Sequence, residues 1–183
     1  MPATTAPPVI TSAAFAQPAP TAVSSSVTPR AAGATPPPAR FVLAPPPGFV
    51  QSELGSARVA YAKYLNGMHN RIHPIFNQFL SSLESLPKTH ALNDQSRSVV
   101  LAIVLASDGS IVRADVASPS GATAFDVAAV DSVHRAAPFA RPPAETLSED
   151  GNLYMAWAFY RDEVFACSTA GARPFRFDAK AVP

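Results

Sequence analysis

The sequence predicts a small α+β domain: a three-stranded antiparallel sheet with two helices packed on one face, in the order helix, strand, strand, helix, strand. Three observations carry that expectation. Two β-type apolar runs meet across a tight turn between Ser98 and Ala117, an apolar stripe of helical period runs from Tyr61 to Leu83, and a third run, Asn152 to Tyr160, alternates its side chains between two faces.

The hairpin reads SVVLAIVLASDGSIVRADVA. Val99, Leu101, Ile103 and Leu105 alternate with Val100, Ala102, Val104 and Ala106, so the bulky set is expected to face the core. Asp108-Gly109 supplies residues that tolerate positive φ, as a short hairpin turn requires. The second strand, Ile111 to Ala117, is half polar and expected to be wet on one face. Such a hairpin is unstable alone in water, so the remaining elements must cover it.

The first cover is the stripe Tyr61, Leu65, Met68, Ile72, Ile75, Phe76, Phe79 and Leu83, spaced by threes and fours. Pro74 removes one donor and crowds the preceding turn, which predicts a kink near His73. A second helix follows the hairpin, with Phe125, Ala129, Val130, Val133 and Ala136 on one side and Thr123 and Asp126 at capping-box spacing. It stops at Pro138, and PFARPP over 138 to 143 is expected as an ordered loop. In the third strand Leu153, Met155, Trp157 and Phe159 form the heavy face, opposite Tyr154, Ala156, Ala158 and Tyr160. The tail from Val164 is read either as a fourth strand or as an irregular cover.

Composition divides the chain. Residues 1 to 50 hold 12 of the 20 prolines and two charged side chains, Arg30 and Arg40. This stretch is expected to be a disordered, partly polyproline II tether, with the folded domain over residues 51 to 183. The domain carries 12 basic and 13 acidic side chains, without the basic surplus a nucleic-acid groove needs. No run approaches the roughly 20 apolar residues of a membrane span. The start MPATTAPPV has no signal-peptide pattern, and the single cysteine, Cys167, forbids an internal disulfide.

The run VLAIVLASDGSIVRADVASPSGATAFDVAAVDSVHRAAPFARPP resembles the C-terminal domain of the TonB and TolA envelope energy transducers. The shared pattern is a strand, a D-G turn, a strand, S-x-S-G, an apolar-Asp pair, an Ala-rich helix and P-F-x-x-P-P. On this chain the pattern falls on Asp108, Gly109, Ser120, Gly121, Asp126, Pro138, Phe139, Pro142 and Pro143, with structural roles. The resemblance implies a non-enzymatic interaction module in the periplasm, at the end of a Pro-rich spacer, that pairs an extended protein segment with a sheet edge to support envelope transport. The alternative is a structural adaptor of an envelope or motility complex that transmits no force, and a small enzyme or metal-binding domain ranks below both. The resemblance also implies a membrane helix before the spacer, which this sequence does not contain. The extension FACSTAGARPF exceeds the family's minimal pattern and is placed to cover an edge.

An exposed sheet edge offers backbone donors and acceptors to another chain. The expected docking edge is the third strand: Leu153, Tyr154, Met155, Ala156, Trp157, Ala158, Phe159 and Tyr160, with Tyr154 and Tyr160 the better contacts because they point away from the helices. A homodimer by strand exchange is a further possibility of the same edge. No catalytic residue and no cofactor are expected. His134 near Asp131 and Asp126 lacks a nucleophile, and no Gly-rich phosphate loop is present. His69 and His73 stand at metal-ligand spacing on one helix, yet no acid or cysteine beside them completes a set, so no metal is expected. Cys167, next to Phe165 and Ala166, reads as a packed small residue.

Overall fold

Residues 42–180 are described in the computed structural model; most of the expected tether, residues 1–41, lies outside the described residues. The described chain runs β1 (Phe49–Ser52), α1 (Ala57–Ser82), β2 (Ser98–Ala106), β3 (Ile111–Ser118), α2 (Thr123–Ala136), β4 (Asn152–Tyr160) and β5 (Ala172–Ala179). The α+β class and the two helices agree with expectation. The sheet, however, has five strands rather than three, in the order β1-β5-β4-β2-β3, with every described pair antiparallel. The tail supplies β5, and the end of the Pro-rich stretch supplies β1.

The helix-side core follows the alternation read from the sequence. Val99, Leu101, Ile103 and Leu105 of β2 and Leu153, Met155, Trp157 and Phe159 of β4 are all fully buried against α1 and α2. Phe76 packs edge-on to Phe125 of α2 and Phe159 of β4, with ring centroids 5.7 and 5.1 Å away, so one side chain joins both helices to the sheet. Burying a phenylalanine this completely is worth about 1.5–3 kcal/mol. Tyr64 and Leu80 join the expected stripe, while Ile75 and Phe79 lie at its margin. Helix α1 continues through Pro74 from Ala57 to Ser82, so no restart occurs there.

The opposite face of the sheet is also apolar. Val100, Ala102, Val104, Tyr154, Ala156, Ala158, Tyr160, Phe175 and Phe177 form a second buried layer with Leu43. Tyr154 and Tyr160 do point away from the helices, but each is only 7% exposed, so they are layer residues and not surface contacts. Leu43 and Pro45 to Pro47 border a 610 Å³ cleft over Ala102, Val104 and Tyr154. The last residues of the expected tether thus lie on the domain.

Local chemistry explains the turn and the helix entry. Gly109 sits at φ 89°, and Asp108 Oδ1 accepts hydrogen bonds from the Ser110 amide at 2.8 Å and hydroxyl at 2.6 Å. A side chain at 109 would also collide with the carbonyl oxygens of Phe139 and Ala140, because the Phe139 amide donates to the Gly109 carbonyl at 3.0 Å. The expected capping box is not formed. Ala122 is the N-cap of α2 with no side-chain bond, and Thr123 is already helical. Asp126 reaches past it to accept from the Ser120 amide at 2.9 Å, while the Ser120 hydroxyl accepts from the Ala122 amide at 3.1 Å. At the other end, Arg71 Nε donates to the Ala136 carbonyl at 2.8 Å and the Tyr64 hydroxyl to the Ala140 carbonyl at 2.8 Å, tying α1 to the loop after α2.

Candidate functional site

The strand expected to be the docking edge is interior. β4 pairs with β2 along its whole length, from Asn152 opposite Ala106 to Tyr160 opposite Ser98. Its other side meets β5, with Tyr154 opposite Phe175, Met155 opposite Pro174, Ala156 opposite Arg173 and Trp157 opposite Ala172. An interior strand has no free ladder groups to offer at those positions. The sheet edges are therefore β1 and β3, and the tail was the missing information.

These two edges differ. β3 is long, but its register with β2 shifts twice, leaving Val112 and Ala117 as extra residues. Bulges twist a strand and interrupt its ladder. Arg113 and Asp115 add an ion pair at 3.1 Å, and Pro119 follows the last strand residue. Those are the features by which an edge resists adding another strand. β1 is four residues long and preceded by three prolines, so it presents almost no ladder.

The cover over β4 is a two-part clasp. β5 runs on β4 over 172 to 175 and then on β1, where Phe49 to Ser52 lie opposite Ala179 to Arg176. Ser148 Oγ accepts from the Phe177 amide at 3.0 Å, and Glu149 Oε2 accepts from the Ala179 amide at 2.8 Å. Phe177 is fully buried and meets Tyr154 edge-on at 4.9 Å. The Tyr154 hydroxyl donates to Asp150 Oδ2 at 2.5 Å. Burial works to raise the Asp150 carboxyl, but hydrogen bonds from Tyr154 and Asn152 outweigh it and hold the group below its ordinary range. Burial, with help from the same bond and the Asp150 charge, pushes Tyr154 up to about 12. At the start of the clasp, Trp157 Nε1 donates to the carbonyls of Cys167 and Ser168, both at 3.1 Å.

The remaining candidates separate cleanly. His134 is exposed, and the neighbouring Asp131 pairs with Arg135 at 3.5 Å. Cys167 is fully buried, as a packed small residue should be, and burial pushes its thiol up to about 12. It does not stand alone, however. The chain brings it against His69 and His73, a convergence that sequence spacing concealed because the cysteine lies 94 residues beyond His73. His73 is lowered from its ordinary value by burial first and by His69 second.

The structure is a small α+β domain whose polar features fix turns and strand ends, with β4 an interior strand under β5. The TonB C terminal family matches residues 61–155, just over half of the chain, and the chain belongs to that family. Members are protein-interaction domains of envelope energy transducers. The match covers α1 to the middle of β4 and leaves out β1, β5 and Cys167. No curated protein and no solved structure matches the chain. Among the described residues no helix is long and apolar enough to cross a membrane.

Proposed function

We propose that this chain is the non-enzymatic, periplasmic interaction module of an envelope energy transducer. It takes an extended segment of a protein partner by strand addition to β4, over Tyr154 to Trp157, in exchange for β5. The observation that carries this reading is the brevity of the β4–β5 ladder, which spans four residues of a nine-residue strand and includes Pro174. A proline supplies no ladder donor, so this pairing is the weaker flank of β4. The clasp also lies outside the part of the chain that the family shares. β3, the longer free edge, is the worse acceptor because of its bulges and its ion pair.

A partner segment that replaces β5 must fill what Phe175 and Phe177 fill, so it carries bulky apolar side chains two residues apart. Hydrogen exchange on the full chain tests the opening step. Amides of 172–179 and 49–52 should exchange at least about tenfold faster than those of β2. An isotopically labelled peptide copying residues 172–179 should then exchange into the site and raise the exchange of the chain's own β5. Equal protection of β5 and β2 would remove the opening step and with it this reading. Protection of β5 that rises with protein concentration would assign the exchange to a second copy of the chain.

A further inference from the structure

Two imidazoles and a thiol converge where α1 meets the loop between β4 and β5. His69 and His73 stand one helical turn apart with their rings stacked, centroids 4.9 Å apart and planes inclined by 30°. Cys167 Sγ lies 3.6 Å from Nδ1 of His69 and 3.6 Å from Nδ1 of His73. The three residues offer ligand atoms that all lie within 4.8 Å of one another, the one such His, Cys or acidic group among the described residues.

The distances discriminate between packing and a binding site. A thiol has one proton and serves one nitrogen acceptor, yet here both imidazoles stand equally far from the sulfur. A zinc ion bonded to sulfur at about 2.3 Å and nitrogen at about 2.0–2.1 Å, at a tetrahedral angle, would hold those two atoms about 3.6 Å apart. The main chain leading into Cys167 is fixed by its own hydrogen bonds. Ala166 is held at φ 23°, a conformation that costs an alanine energy. Its carbonyl accepts from the Tyr160 amide at 2.7 Å and its amide donates to the Asp162 carbonyl at 2.7 Å. His69 Nδ1 also lies 3.1 Å from the Cys167 carbonyl, a contact that an ion would replace.

Access and an open position are present. A 320 Å³ cavity reaches both imidazoles, bordered by Asn66, Val164, Phe165 and Ser168, and no carboxylate lines it. Cys167 itself is fully buried and does not border the cavity, so a cation held by all three residues would meet the opening from the side of the imidazoles, where a fourth place is left for water. Imidazole and thiolate suit borderline and soft d10 ions and disfavour calcium and magnesium.

We propose that His69, His73 and Cys167 bind Zn(II) through both imidazoles and the thiolate, with one position left to solvent. On binding, the thiol proton leaves to solvent and each imidazole keeps its single proton on the nitrogen that faces away from the ion. The site joins α1 to the segment that leads into β5. Of its three residues, His69 and His73 lie within the family-matched residues and Cys167 lies beyond them.

Titration of the full chain with Co(II), under reducing and chelator-free conditions, tests the site. One Co(II) per chain should give the intense visible bands of a tetrahedral ion and a thiolate-to-cobalt band in the near ultraviolet, and Zn(II) should displace both. Because Cys167 is the one cysteine, the thiolate band identifies the ligand. Cys167→Ser should abolish that band. His69→Gln and His73→Gln, at half-buried positions that leave the core intact, should each weaken Co(II) binding at least about tenfold, in the range found when supporting metal contacts are lost. A weak octahedral spectrum, or tight Co(II) binding unchanged in the two histidine variants, would overturn the site. Retention of Cu(I) alone, with no Zn(II) or Co(II) bound, would overturn the assignment to zinc.

Discussion

On one side β4 is paired with β2 through all of its nine residues; on the other it is paired with β5 through four, one of them opposite a proline. Both flanks bury bulky apolar side chains, aliphatic on β2 and aromatic on β5, so burial alone does not separate them. The difference is ladder length and locality. β2 reaches β3 through the four residues Ser107 to Ser110 and is covered by both helices, whereas β5 is held by β1, from the far end of the domain, and by the Ser148 and Glu149 side chains. A strand with a short, proline-containing ladder to its neighbour is the one a competitor can replace without opening the core.

The largest expected effect strikes both flanks at once. Trp157→Ala empties the core and removes the indole bonds to the Cys167 and Ser168 carbonyls. It should cost about 3–5 kcal/mol in urea unfolding followed by far-ultraviolet circular dichroism, since the chain's one tryptophan is lost. Phe177→Ala strikes the clasp and its contact with Tyr154, away from the helix-side core. Its cost of about 3 kcal/mol should appear as a roughly 100-fold loss of amide protection across 172–179 and 49–52, while β2 and β3 keep theirs. If β2 loses protection equally, the two flanks are one cooperative unit and the comparison fails.

Tyr154→Phe is the mildest and sharpens the comparison through pH. Losing the bond to Asp150 should cost about 1 kcal/mol near neutrality. A carboxyl held below its ordinary value contributes stability above that value and loses it as pH falls through its folded one. The gap between Tyr154→Phe and the parent should therefore close below about pH 3.9, the ordinary carboxylate value, in unfolding curves taken across that range. A gap that persists at lower pH would mean that the hydroxyl, not the charge, carries the effect.

Much of this architecture was legible because its signals are local. The alternation of Val99 to Leu105, the Asp108-Gly109 turn and the spacing of Tyr61 to Phe76 each specify an element without reference to the rest of the chain. β5 was hidden for the opposite reason. ARPFRFDA contains an internal proline and mixed polarity, and it becomes a strand only because β4 and β1 lie beside it. Without β5, β4 reads as an edge. The partner of Asp126 was missed because the sequence pattern sets the cap at Thr123, whereas the helix begins one residue earlier, Asp126 is its fourth residue and Ser120 presents its amide. The His69 and His73 spacing was visible, but the third ligand lies in the tail, where no periodicity points to α1.

The meeting of Gly109 with Phe139 bears on how such chains are inherited. The D-G turn and the P-F-x-x-P-P loop are separate in the text of the gene but one object in space, since the Gly109 carbonyl receives the Phe139 amide and no Cβ fits between them. A mutation at Gly109 is acceptable only if the loop withdraws, and withdrawal takes Ala140 away from the Tyr64 hydroxyl. Recombination between diverged members of the family, with a crossover between these two segments, would join a turn from one lineage to a loop shaped for another. A change in one of these two segments therefore has to be matched by a change in the other.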